Sequence, residues 1–215
     1  MLVTDGGSDP GAVANNVKEK DLNLQLALAC RDELARHGVE VKLSRTKDEN
    51  DPITEEIREC NAFAPDLAVD IHNNAGGGNG AEVFYHYKGG KSKTLAVNIL
   101  DEIVALGQNS RGVKVKKNSK GQDAFGFIRE TVAPAVIVEV CFIDNATDLK
   151  FLATATDRLK AGQAIAHGIL KTLGVEIQSE RLYRVCVGTY RYKSSAEVMQ
   201  KKLKVAGFDS IVVEE

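Results

Sequence analysis

No run of about eighteen apolar residues, the length a helix needs to cross a bilayer, occurs in the 215 residues of the chain. No membrane span is therefore expected. The opening Met-Leu-Val-Thr-Asp-Gly-Gly lacks the charged start and apolar core of a secretory leader and does not read as a signal peptide. The four cysteines, Cys30, Cys60, Cys141 and Cys186, are scattered with no CxxC pair. They read as reduced, mostly buried thiols of a chain made in the cytosol. Nor is there an excess of charge of either sign, with 28 basic and 30 acidic residues. From Arg181 onward seven basic residues face four acidic ones, a net +3 that leaves −5 for the rest. That imbalance is too small to mark a partner, and none of the nucleic-acid class is expected.

What is present suits a folded enzyme-sized domain. The apolar fraction is 43%, enough for a core, and the length suits one domain of about 150–200 residues with a small appendage. In Ala135-Val-Ile-Val-Glu-Val-Cys141, four apolar residues run straight into an acid, which reads as a strand buried on both faces. Leu67 to His72 is a second such strand, and Met1–Thr4, Val39–Leu43 and Ala81–Tyr87 are three more. Between them, helical spacing is expected from Glu19 to His37, from Pro52 to before Pro65, over Ser92–Leu106 and over Leu159–Leu173. Asp5–Gly11 and Asn73–Gly80 are loops by their turn residues, and Arg111–Lys120 is a basic, polar loop. The alternation predicts an α/β fold with a central mixed or mostly parallel sheet flanked by helices. Residues 175–180 are polar and break the pattern, which predicts a linker between a domain over 1–174 and a small C-terminal βαβ unit over 181–215.

Ligand sites in such sheets lie off the strand ends, and His72 and Glu139 sit there. Glu139 is costly to bury as an anion without a partner, and a cation or metal would supply one. Glu19, opening the first helix, and His72 are the best metal-ligand candidates, since Asp, Glu and His are zinc ligands. Each also has a plain structural reading: Glu19 as a first-turn acid favoured by the helix dipole, His72 as a strand-end histidine bonded to its loop. His86 is a weaker candidate; His37 and His167 read as cap and packing residues. Cys141, two residues beyond Glu139 and expected on the same side of the strand, makes a Cys141–His72 nucleophilic pair a rival.

Five segments stand in order: Gly6-Gly-Ser-Asp-Pro-Gly-Ala12, Glu19-Lys-Asp-Leu-Asn-Leu24, Leu43-Ser-Arg-Thr46, Asp70-Ile-His-Asn-Asn-Ala75 and Ile128-Arg-Glu-Thr-Val-Ala-Pro-Ala-Val-Ile-Val-Glu139. Together they resemble the zinc-dependent N-acetylmuramoyl-L-alanine amidases of the Amidase_3 type, over about residues 1 to 173. The resemblance implies Zn2+ as cofactor, Glu19 and His72 as zinc ligands and Glu139 as the catalytic glutamate. It implies hydrolysis of the amide between the lactyl group of N-acetylmuramic acid and the L-alanine of the stem peptide. One departure stands out. The family's first motif carries a histidine, its first zinc ligand, and here only Asp5 precedes Gly6-Gly7. Either Asp5 replaces that histidine as a metal ligand, or Asp5 is the family's aspartate and three residues are gone.

In the tail, Tyr183-Arg-Val-Cys-Val-Gly-Thr-Tyr190, Ala196 and Leu203-Lys-Val-Ala-Gly-Phe208 are similar to half of a SPOR repeat domain, a family that binds peptidoglycan glycan strands. One βαβ unit leaves strand edges and an apolar face open, which predicts a homodimer through the tail. Two readings follow. The chain is a metal-dependent amidase that cuts peptidoglycan, or it is a degenerate homologue that holds peptidoglycan without cutting it. With no leader read at the N-terminus, it is expected to be made in the cytoplasm and to reach the wall on lysis or release, as an endolysin or a sporulation autolysin.

Overall fold

The computed structural model describes residues 1–178 and 186–214, which form two compact units, the first ending at Gln178. In the first unit a five-stranded sheet has the order β1(Leu2–Val3), β4(Ala68–Asn74), β7(Ala135–Phe142), β5(Ala81–Tyr85), β6(Ser110–Lys114). β1, β4 and β7 run parallel, β5 is antiparallel to β7, and β6 is parallel to β5. The mixed sheet agrees with the expectation. A two-residue hairpin, β2(Val13–Ala14) with β3(Val17–Lys18), precedes α1(Glu19–Arg36).

The strands are apolar on both faces because both are covered. Val69, Ile71, Val136 and Val138 point into a core shared with α1, α3(Lys91–Ala105) and α5(Ala155–Leu173). Their alternates, Ala68, Ala135 and Ile137, pack with Ile57 and Cys60 of α2(Ile53–Phe63) and with Phe127 and Ile128 of α4(Gly126–Glu130). Period-two alternation then puts Asp70, His72 and Glu139 on this second face. Towards the C-terminal ends of β4 and β7 that face changes from apolar to ionisable, and there the helical cover gives way to a cleft. On the first face α5 lies close against its neighbours. A Cβ on Gly162 would come within 2.6 Å of Ala29 Cβ, and one on Gly168 within 2.5 Å of Ile99 Cα.

Four local expectations are corrected. Val39–Leu43 is not a ladder strand and makes a single bridge, Leu2 to Leu43. The basic loop from Arg111 begins as edge strand β6, whose polar composition suits a strand with one free edge. The linker expected over 175–180 starts as packed chain: Val175 and Ile177 lie on the core, and Gln178 N–H donates to His37 Nε2 at 3.0 Å. In the tail the helix is present as α6(Lys193–Val205), but residues 186–190 and 210–213 form no strand. Residues 181–185 of that expected strand lie outside the described residues. A strand needs a ladder partner, and the described tail residues offer none.

Candidate active site

Glu19 is the first residue of α1, and its backbone N–H donates to Ala12 O. The preceding loop is held by Arg45, 3% exposed, whose guanidinium donates to the carbonyls of Thr4, Lys20 and Lys47. This is the role of the arginine in Leu43-Ser-Arg-Thr46. The loop passes so close that a Cβ on Gly11, already at φ +62°, would lie 2.6 Å from Glu19 Oε2. The Glu19 carboxylate therefore enters the sheet end from the side of the larger core. Oε2 accepts from Ala12 N–H at 2.8 Å; Oε1 accepts from Asn73 N–H at 3.1 Å and Asn23 Nδ2 at 3.3 Å. Oε1 also meets His72 Nδ1 at 2.9 Å.

His72 stands among three carboxylates. Besides Glu19, Asp5 Oδ2 is 3.5 Å from Nδ1, and Asp70 Oδ1 is 3.0 Å from Nε2. Burial opposes charge on the ring, but Asp70, Glu19 and Asp5 together outweigh it and hold the imidazole well above its usual pKa. The charged form of the ring is thus favoured, with a carboxylate on each side of it. The partner effect appears on Glu19: burial pushes its carboxyl up, but the His72 bond and charge and the Ala12 and Asn73 N–H groups hold it below the usual range. Asp5 moves the other way, raised by burial.

Glu139 lies directly opposite His72 in the β4–β7 ladder and opposite Glu82 in the β5–β7 ladder. Glu82 is ion-paired with Arg111 and Lys114, but among the described residues Glu139 has no such partner and its buried Oε2 accepts no hydrogen bond. Burial, with the charges of Glu19, Asp70 and Glu82 opposed by His72, brings its carboxyl up to about 7. A carboxyl poised there can take and return a proton near neutral pH. The cleft before it, about 660 Å³, is lined by Asp5, Asp9, Asp51, Asp70, His72, Ile137, Glu139, Phe125 and Phe127, among others.

Asp5, Glu19, His72 and Glu139 thus meet at one place. Cys141 does not join them. The register runs His72 to Glu139 and then Asn74 to Phe142, so β7 carries an extra residue against β4. Such a bulge re-aims the side chains that follow it. Val140 and Cys141 both turn into the larger core, and Cys141 Sγ donates to Asn73 Oδ1 at 3.2 Å. Burial raises the thiol far from reactivity, which disposes of the Cys141–His72 pair. His86 is also elsewhere, 3.2 Å from Asp123 Oδ2. His37 caps α1, with Nδ1 2.8 Å from Glu33 O, and His167 packs on Glu33.

One residue by the site has no signal in the sequence. Glu56 of α2 is 1% exposed, neither carboxyl oxygen has a partner, and burial with the charges of Asp70, Asp5 and Asp51 raises it to about 9. Its place in the helix stripe Ile53-Ile57-Cys60 is next to an apolar position, and nothing in the pattern distinguishes it from a surface acid.

The donors expected for zinc do not form a cage as arranged. A carboxylate oxygen stands before each ring nitrogen of His72, Glu19 Oε1 at 2.9 Å from Nδ1 and Asp70 Oδ1 at 3.0 Å from Nε2, so the set is arranged around the ring rather than around a shared centre. Among the described residues no group of three or more His, Cys, Asp or Glu side chains is placed to hold a metal ion.

Comparison with known proteins extends the geometry. The profile of the Amidase_3 family, described as N-acetylmuramoyl-L-alanine amidase, matches residues 3–171, and that of the SPOR domain matches 154–214. N-acetylmuramoyl-L-alanine amidase CwlM of Bacillus licheniformis is 32% identical over 210 residues, covering 97% of this chain and 81% of CwlM. The sporulation-specific N-acetylmuramoyl-L-alanine amidase of Bacillus subtilis is 33% identical over 213 residues, with the same two shares. The catalytic domain of CwlV, an amidase of the same name from Bacillus (Paenibacillus) polymyxa var. colistinus, superposes with a TM-score of 0.72 at 30% identity, over 81% of this chain and 98% of that one. A profile match over most of the length, relatives alike over 97% of this chain and a shared fold lead to one conclusion: the chain belongs to the N-acetylmuramoyl-L-alanine amidase family.

Proposed function

We propose that the chain hydrolyses the amide between the lactyl group of N-acetylmuramic acid and the L-alanine of the peptidoglycan stem peptide. The observation that carries the reading is Glu139: a buried carboxyl held near neutrality, with one oxygen unpartnered, facing a cleft at the end of β7. As the anion it takes a proton from the attacking water. The water oxygen bonds to the carbonyl carbon, the C–N bond breaks, and the proton passes from Glu139 to the leaving alanine nitrogen. Among the cleft-lining residues His72 is the one basic side chain, and its raised pKa favours the form that would supply positive charge there. The test is release of alanine amino termini from purified walls. Release supports the reading; binding to walls without release favours the non-cutting homologue.

Zinc is the finer part of the proposal, and no step is assigned to it. Asp5, Glu19 and His72 are the side chains it would draw on, and a set so poor in nitrogen holds zinc weakly and with little selectivity. Metal analysis of the dialysed chain is expected to find well under one zinc per chain. Asp5→His, which adds a nitrogen donor at the position whose carboxylate Oδ2 now lies 3.5 Å from His72 Nδ1, is expected to raise that occupancy. Unchanged zinc in the variant would place residue 5 outside the ligand position.

The tail is proposed to bind glycan strands, by its likeness to the SPOR domain, and to pair with a second copy. The domains are proposed to divide into an amidase unit over 1–174 and a SPOR-like unit over 181–215, with residues 175–178 joining the first compact unit. No residue of α6 is buried, and Val198, Val205, Phe208 and Ile211 stand 53–91% exposed. Uncovered apolar side chains of this kind, Val198 and Val205 on the helix and Phe208 and Ile211 beyond it, favour association. Light scattering of the full chain is expected to show a dimer at high protein concentration; a monomer throughout overturns the pairing. The reduced state of the cysteines supports synthesis in a reducing compartment, with access to the wall on lysis or release.

A further inference from the structure

β5 ends at Tyr85, and the chain continues through His86 and Tyr87 beside the turn that follows β6. Asp123, 2% exposed, pins the two together: its Oδ1 accepts from Tyr87 N–H at 3.1 Å, and its Oδ2 lies 3.2 Å from His86 Nε2. The His86 ring stacks on Tyr87, centroids 4.8 Å apart. On this scaffold three lysines rest on two rings. Lys117 Nζ is 4.7 Å and Lys88 Nζ 5.9 Å from the Tyr87 centroid, and Lys116 Nζ is 5.2 Å from that of Phe125. Ring faces attract ammonium groups, but two on one ring repel each other. Among the described residues none of the three has a carboxylate in ion-pair reach, whereas neighbouring Lys114 is held by Glu82.

This rim is continuous with the cleft. Phe125 lines the cleft and its ring centroid is 4.9 Å from that of Phe84. Phe84 is the ladder partner of Ile137, which shares a face with Glu139 two residues on. Two residues along a strand and one strand across amount to roughly 8 Å; the 4.9 Å from Phe84 to Phe125 and 5.2 Å from Phe125 to Lys116 Nζ bring the path to at most roughly 18 Å, which an extended peptide covers in about five residues. The cleft floor, with Asp5, Asp9, Asp51 and Asp70, is acidic, so a substrate carboxylate is pushed off the floor and drawn to the cationic rim.

We propose that Lys88, Lys116 and Lys117, carried on Tyr87 and Phe125, form an anion subsite that binds a carboxylate of the stem peptide within about five residues of the amide to be cut. The assignment rests on the amidase reading, which places a peptide in the cleft. Continuity through Phe125 favours a group belonging to the molecule in the cleft over a phosphate polymer of the wall.

The test compares two muramoyl peptides, one with free side-chain and terminal carboxylates and one with all of them amidated. The full chain is used as wild type and as the variant Lys116→Gln/Lys117→Gln. Binding is read in a Glu139→Gln background and turnover in the active chain. The free acid is expected to bind about tenfold more tightly than the amidated peptide, as for two exposed charge pairs of a few-fold each. The lysine variant is expected to erase that difference by raising KM for the acid about tenfold with kcat little changed. Arginine at both positions restores it. Equal effects on both peptides, or none on either, overturn the subsite. So does a loss confined to walls that carry phosphate polymers, which assigns the lysines to that polymer. Lysine-dependent binding without any cleavage overturns the amidase reading alone; cleavage indifferent to the lysines overturns the subsite alone.

Discussion

Glu139→Gln is expected to lower turnover of the muramoyl–alanine amide by 10²–10⁴-fold, the range a positioned general base contributes. The glutamine keeps the shape and loses the proton. The loss appears in kcat, while peptide affinity stays within a few-fold, because the cleft walls at Ile137, Phe125 and Phe127 are untouched. Stability does not fall, since the buried carboxyl Oε2 has no hydrogen bond to lose. The wild-type rate carries its own signature. With the Glu139 carboxyl at about 7, the basic form is scarce in acid, and kcat/KM rises with pH through that value before levelling. Alanine release measured from pH 5 to 9 on both proteins checks this. A variant that releases alanine at the wild-type rate removes Glu139 from the chemistry.

Glu56→Gln is expected to stabilise the protein, by an amount that grows with pH. The carboxyl is raised from the usual 4.5 to about 9, so between those values the unfolded chain is ionised while the folded one still holds the proton. Folding then takes up a proton, and stability declines as pH rises, by about 1.4 kcal/mol per unit. At pH 7 that amounts to roughly 1–3 kcal/mol, the lower part allowing for local relaxation. Near pH 4.5 the two proteins are equally stable, and above pH 9 the gap stops growing. Glutamine carries no charge to desolvate and offers N–H donors in the field of Asp70 and Asp5. Urea unfolding of both proteins at pH 5, 7 and 9 reads the effect. A difference that is constant with pH, or a destabilised variant, shows that Glu56 does not carry its proton in the folded state.

These two residues mark the boundary of what one-dimensional reading reaches. Glu139 is legible because its strand is an apolar run interrupted by one acid, and strands of that kind end at sites in α/β sheets. Glu56 is not. On α2 it follows other acids, and only the packing of that helix beneath Asp70 and Asp5 buries it. The helices α1, α3 and α5 were similarly open to reading, because each shows its apolar stripe to one core. Edge strand β6 was not, since a strand half exposed and rich in charge has the composition of a loop.

The sequence by itself determined the alternation of strands and helices, the family, and the residue types that meet at the site, because these follow from local periodicity and ordered motifs. Tertiary structure alone decided three things. It brought Asp5 beside His72 and set the histidine among three carboxylates, which raise its pKa. It placed a bulge in β7 that turns Cys141 away from Glu139. And it laid Lys117 on the ring of Tyr87 and Lys116 on that of Phe125, which lines the cleft. The physical reason is the same in each case: charge, register and ring contact depend on distances across strands and turns, and spacing along the chain does not encode them.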